Sequence, residues 1–510
     1  MRRTLLLTVL VLVLAGAVPA GAAPNRSSRG PSEFRMFGGG FGHGLGLSQW
    51  GAFGLATKGW GSTKILKHFY SGTGVVTKVG PNQLRIGLVQ DADAVRLEAE
   101  AGPVEIRLGD PKGKVVASIP SGETWRVRAA ADAYSIVDSG GTTVESVGGP
   151  DDPIFAVYAP TQSRVRIPEA GHTYNRGSIE FGLDPCNAGG CTMRAVLTVD
   201  PQGYLYGLGE VPSSWPMSAM KAQAIAARTY AFTKAATSQH RPECDCALYA
   251  TSFDQVYAGW DKEGGADGER WVAAVRQTNR EVVVKAGQTI QAFYMSSSGG
   301  YTENNENVWG GEPISYLRGV CDPGDYTSSN PNATWRQDFS PSQLTQDLGL
   351  GIGTVTGFAD IDRGVSGRIM SITVEGANGQ ASISGSTLRS SLGLRDDRLW
   401  INQDRRVIGA IRAKYDAQGC SPGLPTSRQV PVAGGARQKF EEGTIFQSTA
   451  TGAHYLRGPV LDRYLSKGGP GGSLGFPIGD VRRLDNGNWR GRFEGGVIVC
   501  QADGTPCRID

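Results

Sequence analysis

Gly207-Leu-Gly-Glu210-Val-Pro-Ser-Ser-Trp215-Pro-Met217-Ser-Ala-Met-Lys-Ala-Gln-Ala-Ile-Ala-Ala-Arg228-Thr-Tyr230 joins two kinds of chain. The first ten residues are turn formers around one carboxyl. Pro216 then marks a helix start, and the alanine-rich run predicts a helix over 217–235. Upstream, from about 75 to 183, runs such as Leu84-Arg-Ile-Gly-Leu, Val104-Glu-Ile-Arg-Leu and Trp125-Arg-Val-Arg alternate apolar and polar residues between Gly, Pro and Asp turns. That alternation is the mark of antiparallel strands. Ala195-Val-Leu-Thr-Val is a further strand; Glu281-Val-Val-Val-Lys and Thr289-Ile-Gln-Ala-Phe-Tyr are two more, and Asn378-Gly379 turns a hairpin. The fold class expected is α+β: a β-rich mixed domain with a few helices, followed by a small C-terminal repeat module.

Glu210 is the only acidic residue between Asp200 and Glu243. A carboxyl among Gly, Val, Pro and Trp is poorly solvated, which raises its pKa and lets it hold a proton near neutral pH. General-acid cleavage of a glycosidic bond requires this. The structural alternative is a helix-terminal Glu held by the helix dipole. Arg228 lies 18 residues on, so the two converge only if the segment around Pro212 and Pro216 folds back.

Arg2, Arg3, an apolar stretch from Leu5 to Val18 and the small residues Ala20-Gly21-Ala22 predict a signal peptide over 1–22, hence a secreted, extracellular protein; an uncleaved anchor is the alternative. No cysteine stands near the cleavage point to carry a lipid. Without Arg2 and Arg3 the formal charge falls from +3 to +1, and no basic run gives a case for nucleic acid. The 510 residues suffice for two or three domains.

Outside the cytoplasm eight cysteines read as disulfides. Cys186 with Cys191 and Cys500 with Cys507 bracket turn sequences. Cys244 and Cys246, one residue apart, are expected to pair with Cys321 and Cys420 rather than each other. The competing reading, zinc on His240, Cys244 and Cys246, departs from the usual two-to-four spacing. No metal or cofactor is expected.

Near 413–435 the composition shifts to Cys-Ser-Pro-Gly-Leu-Pro and reads as a linker, after which the chain repeats itself. Arg437-Gln-Lys-Phe440-Glu-Glu-Gly recurs as Arg490-Gly-Arg-Phe493-Glu-Gly-Gly. Between the copies, Leu474-Gly475-Phe476-Pro477 resembles the LGFP repeat of actinobacterial cell-wall proteins. The resemblance implies, for 436–510, a module for a cell-envelope ligand; a packing domain with no ligand is the alternative.

Several further motifs, Tyr204-Leu-Tyr-Gly, Glu210-Val-Pro with Trp215, Ala227-Arg228-Thr-Tyr230, Asp254-Gln255-Val-Tyr257, Ser296-Ser297-Ser298-Gly-Gly300 and Gly385-Ser-Thr-Leu-Arg389, resemble the SpoIID/LytB family, named for stage II sporulation protein D. So does Gly42-His43-Gly-Leu-Gly-Leu-Ser48-Gln49-Trp, which here precedes the rest, so that the domain, over 33–412, looks circularly permuted. The interval from Tyr204 to Glu210 is about two residues shorter than in the sporulation protein.

The resemblance implies lytic transglycosylase activity on peptidoglycan, with Glu210 as the catalytic acid and Arg228 supporting substrate. One carboxyl can protonate the oxygen between N-acetylmuramic acid and N-acetylglucosamine, then accept the C6 hydroxyl proton as that oxygen attacks C1. A second carboxylate to activate water is not needed. The glycan implied is free of peptide stems, and a partner amidase follows. The LytB side implies the alternative, a non-catalytic glycan binder that enhances an amidase, and the shortened interval favours it.

Candidate substrate contacts are Arg228, Tyr230, His43 with its flanking glycines, Ser48, Gln49, and Ser296, Ser297 and Ser298. His43 reads equally as a structural histidine in a Gly-rich turn, and the serines as hydroxyls closing a strand end. No Ser occupies a nucleophile elbow, so acyl transfer is not expected.

Overall fold

The computed structural model describes residues 31–130, 133–184, 186 and 190–510. The expected signal peptide at 1–22 lies outside the described residues. Among those described, no helix is long and apolar enough to cross a membrane.

The alternating stretch forms two antiparallel sheets. One runs in the order Thr143–Val147, Tyr134–Val137, Thr124–Ala129, Ala94–Ala101, Arg164–Ile167, His172–Tyr174. The other runs Leu248–Tyr249, Leu84–Ala92, Met193–Val199, Ser178–Leu183, Ile154–Val157, Val104–Leu108, Val115–Ile119, its first pair parallel. Val95, Leu97 and Val127 of one sheet and Ile106, Ile154 and Ile179 of the other are buried in one core. Period-2 patterning places each of them on the inner face.

That core continues into a helical layer. The helix Met217–Thr237 starts after Pro216 and is buried along most of its length, with small residues Ala219, Ala222, Ala224, Ala226 and Ala227 letting neighbours approach from all sides. A helix buried over most of its surface is a central one. Gln49–Thr57, Ser62–Phe69, Gly268–Gln277 and the strand Glu281–Lys285 surround it. The expected strand from Thr289 to Tyr294 is reduced to two short pairings, Gln288–Thr289 and Tyr294–Met295, because the chain between them turns to wall a cleft.

A smaller core gathers around Ile372, Val374, Leu388 and Leu399. Strand Phe34–Gly38 inserts between Trp335–Phe339 and Leu399–Ile401, which builds the N-terminal Gly-rich segment into the late part of the domain. The Asn378-Gly379 hairpin forms as expected, between Ile369–Gly376 and Gly379–Ser384.

Two corrections concern the cysteines and the linker. Cys244 bonds to Cys246, and Cys321 to Cys420; the Cys186–Cys191 and Cys500–Cys507 bridges form as read. Asp245 between the first pair adopts a left-handed backbone, φ 50°, so the chain doubles back and the Cα atoms stand 5.1 Å apart. Both sulfurs are therefore consumed, and His240 rests on Asp245 Oδ1 at 2.5 Å, so the zinc reading fails.

Residues 413–435 are not a free tether. Helix Gly409–Ala417 buries Ile411 and Tyr415, and Gly423-Leu424-Pro425 is a degenerate first copy of Gly475-Phe476-Pro477. Leu424 N–H donates to Glu441 as Phe476 N–H donates to Glu494, at 2.8 and 2.7 Å, and Pro425 and Pro477 bridge to Phe440 and Phe493. Each unit also has its helix, Gly409–Ala417 and Gly458–Ser466, with Tyr415 stacked on Phe440 and Tyr464 on Phe493. Turn chemistry that imitates a linker is here the repeat itself. Leu474 and Phe476 are buried, so the motif that names the repeat is core rather than ligand surface.

Candidate active site

Short turns on either side bring Glu210 into a cleft. Asp200 caps the helix Pro201–Tyr206, its carboxylate accepting from Gln202 and Gly203 N–H, and the chain after it crosses Val256 and Tyr257. Gly209 N–H donates to Val256 O at 2.8 Å, and Val256 N–H returns a bond to Glu210 Oε1 at 2.7 Å. Gln49 Nε2 donates to Oε2 at 3.2 Å, and the Tyr294 hydroxyl also bonds the carboxyl. Burial pushes the Glu210 pKa above the ordinary value near 4.5, against the pull of those three donors. Glu210 lies outside the helix, so it is no helix-terminal residue.

The cavity holds about 460 Å³. His43, Gln49, Tyr230, Tyr294, Ser296 and Arg389 line it beside Glu210. Phe41, Phe253 and Trp309 rim it, with exposures of 44%, 74% and 54%. Among the described residues these are the only exposed Phe or Trp side chains, and all three are at this opening. Exposed aromatic faces concentrated at one mouth mark a binding surface for a partly apolar ligand. Sequence reading missed them because they come from three separate segments, Trp309 from the end of the short helix Asn305–Trp309; a lone aromatic beside Gly or Ser, as in Ser252-Phe253 and Trp309-Gly310, is the signal that was there.

The second carboxylate of the cleft, Asp254, is fully engaged. It accepts from Arg241 (2.6 Å), Tyr249 N–H (2.9 Å) and the Tyr230 hydroxyl (2.9 Å), and pairs with Lys234 (3.3 Å). Its side chain is entirely buried and those partners hold its pKa below the usual carboxylate range. One carboxyl in the cleft can thus carry a proton while the other stays ionised.

His43 Nδ1 accepts from Leu45 N–H at 3.1 Å, so Nε2 carries the proton and donates to Tyr294 O at 3.0 Å. Burial, with Arg368 and Arg389 nearby, pushes its pKa down to about 4. A neutral ring with both nitrogens used contributes a wall, tilted against Trp309 with ring centres 5.1 Å apart, and offers no hydrogen bond to a ligand. Gly46 has φ 70°, and a Cβ there would fall 2.1 Å from Phe293 O, so the tight turn after His43 requires glycine.

Four expected contacts are elsewhere. Arg228 is buried, 2% exposed, on the far side of the central helix, where it donates to Glu281 O (3.1 Å) and Val275 O (3.4 Å). It fastens the helix; it does not face the cleft. Ser48, Ser297 and Ser298 are fully buried behind it. Ser48 caps the helix Gln49–Thr57 and donates to Asp325; Ser297 donates to Asp325 at 2.8 Å and Ser298 to Asp322 at 2.6 Å. Their hydroxyls are spent on two buried carboxylates and hold the floor from which Gln49 and Ser296 reach the cleft. The sequence distance to Asp322 and Asp325 hid these partners.

Comparison with known proteins agrees with the motifs. Residues 190–284 match the SpoIID family, described as Stage II sporulation protein, and residues 423–472 match the LGFP repeat. The first match contains Glu210, Arg228, Tyr230 and Asp254. Over 142 residues, 28% of this chain, the protein is 37% identical to the amidase enhancer of Bacillus subtilis, of which that stretch spans only 17%. Over 287 residues, 54% of this chain and 78% of the relative, it is 29% identical to stage II sporulation protein D of Bacillus amyloliquefaciens. The corresponding Bacillus subtilis protein is 28% identical over 251 residues, 44% of this chain and 71% of the relative.

Proposed function

We propose that this protein is an exported lytic transglycosylase that cleaves the N-acetylmuramic acid to N-acetylglucosamine bond of peptidoglycan with Glu210 as sole acid and base. One observation carries the reading: an aromatic-rimmed cleft holds one protonatable carboxyl, while the only other carboxylate lining it among the described residues is locked by two cations. Hydrolysis would need a second free carboxylate as base or nucleophile. Here the C6 hydroxyl of the muramic residue replaces both. Glu210 gives its proton to the glycosidic oxygen, and Val256 N–H and Gln49 Nε2 stabilise the carboxylate left behind. That carboxylate then takes the C6 hydroxyl proton as the oxygen closes on C1, giving a 1,6-anhydro product and a Glu210 ready for the next bond.

The similarity to stage II sporulation protein D and to the LGFP repeat supports a cell-wall role and an extracellular, wall-associated location. The similarity to an amidase enhancer supports a second reading, a glycan binder that stimulates an amidase. Incubation with peptide-free glycan strands, followed by mass analysis, tests the first: anhydro-muramyl ends support it, and intact strands that remain bound leave the second.

Two further results are expected. Because only protonated Glu210 starts the reaction, kcat/KM should fall as pH rises through a value above the ordinary carboxyl range. Gln49→Ala, which removes a donor to the ionised form, should move that limb to higher pH; an unmoved limb would unseat Glu210 as the titrating group. Trp309→Ala should raise KM several-fold with little change in kcat, since an exposed ring at the rim would bind sugar without taking part in the proton transfer.

A further inference from the structure

A second hollow, about 210 Å³, adjoins the cleft and shares Tyr230 with it. Thr233, Lys234, Thr237, Ser238, Arg241 and Gln291 line the remainder. Its charges do not balance. Lys234 and Arg241 share the single carboxylate of Asp254, which is wholly buried, whereas the cations keep 35% and 21% of their side chains exposed. One positive charge therefore stays uncompensated at the surface of the hollow, beside hydroxyl and amide groups. Arg389 adds another cation in the main cleft.

The arrangement is held from behind. Arg241 N–H donates to Cys246 O, while Cys244 and Asp245 N–H donate to Arg241 O, so the tight Cys244–Cys246 loop closes on the arginine's own backbone. The Arg241 guanidinium also lies over Tyr249 at 4.8 Å, and the Lys234 ammonium lies 5.3 Å from the Tyr230 ring. Both cations are anchored by Asp254 at one side and remain open at the other. This is how a protein prepares positive charge for an anion without collapse of the side chains.

We propose that the hollow formed by Lys234, Arg241 and Gln291 is an anion subsite that takes a carboxylate borne by the sugar next to the scissile bond. The inference rests on the transglycosylase reading for its substrate. Two carboxylates fit this chemistry: the lactyl group of a muramic residue whose peptide has been removed, and the carboxylates of an intact peptide stem. Because Tyr230 lines both hollows, a carboxylate held in the smaller one belongs to the same bound strand that reaches Glu210 in the larger. A free lactyl group is the shorter of the two and carries its charge directly on the sugar.

Binding to the Glu210→Gln protein, which needs no cleavage, tests this on three probes. These are peptide-free glycan, the same glycan with its lactyl carboxylates blocked as methylamides, and peptide-bearing glycan. Blocking should weaken binding about tenfold, the worth of one charge-assisted pair. Lys234→Gln in the same background should remove the preference, and Lys234→Arg should keep it, with melting curves showing that each variant folds. Equal binding of blocked and free strands, or a preference that survives Lys234→Gln, overturns the subsite while leaving the transglycosylase reading intact. Failure of every glycan to bind overturns both. Stronger binding of the peptide-bearing strand, lost in Lys234→Gln, assigns the subsite to the stem.

Discussion

Glu210→Gln is expected to abolish release of anhydro-muramyl ends from peptide-free glycan, with kcat reduced by at least about a hundredfold and binding within a few fold of the unaltered protein. The amide has the size of the carboxyl and can still accept from Val256 N–H, so the cleft should keep its shape. It has no proton to give to the glycosidic oxygen and no capacity to take one from the C6 hydroxyl. Both halves of the proposed reaction fail together, which is why a single substitution should be decisive. Product analysis by mass is the measurement; residual anhydro ends at a tenth of the normal rate would assign the proton to another group. If the amidase-enhancing reading holds instead, the same variant should stimulate an amidase as well as the unaltered protein does.

The largest effect on stability is expected at Arg368. Its side chain is 1% exposed, donates to Tyr301 O, Ser298 O and Asp396 Oδ2 at 3.0, 3.1 and 2.9 Å, and stands 3.5 Å from Asp397. Gly44 lies against it, where a Cβ would come within 2.6 Å of its Nε. The arginine thus ties the Gly-rich segment, the serine turn and the end of the smaller core. Arg368→Met keeps the stem but strands two adjacent carboxylates in the interior, a loss of about 3–5 kcal/mol in urea unfolding. Burial and Asp396 already push Asp397 up to about 7, and Arg368 restrains that rise. Without the restraint the folded protein favours a protonated Asp397 still more. A folded pKa above the unfolded one means stability present in acid and lost as pH rises, so the deficit should widen through about pH 7 and above. A deficit below 1 kcal/mol, or one that does not vary with pH, would show that the cluster adjusts without the cation.

The parts of the fold and site legible in the sequence were those governed by local pattern. Period-2 runs gave the strands from Leu84 to Val199, Pro216 and the alanines gave the helix after Glu210, and the isolation of that carboxyl among turn residues marked a perturbed acid. Directions were not legible. Polar residues scattered around a mostly buried helix do not tell which way Arg228 points, so a motif arginine passed for a ligand residue when it serves as a fastening. The serine turn passed for a sugar contact because its partners, Asp322 and Asp325, become neighbours only through tertiary folding. Cys244 with Cys246 depended on one left-handed residue, which no pattern announces in an Asp. The aromatic rim required three distant segments to meet, and only Tyr230, Gln49, Ser296 and His43 among the expected contacts stand at the same opening.

The joint between the two halves of the molecule sets a distance. Cys420 is bonded to Cys321, and next to that bond Arg412 of the first repeat is buried, its guanidinium donating to Asp322 O at 3.4 Å, while Asp322 itself holds the Ser298 turn under the cleft. The first repeat is thereby bolted to the floor of the site, and the second, Gly458 onward, extends from it with its own sheet. A tethered cutter on a loose leash samples every bond within reach. On the proposed reading, a mount this stiff would instead act as a ruler: a ligand held by the outer repeat would lie at one fixed span from Glu210, and the lengths of the fragments released would record that span.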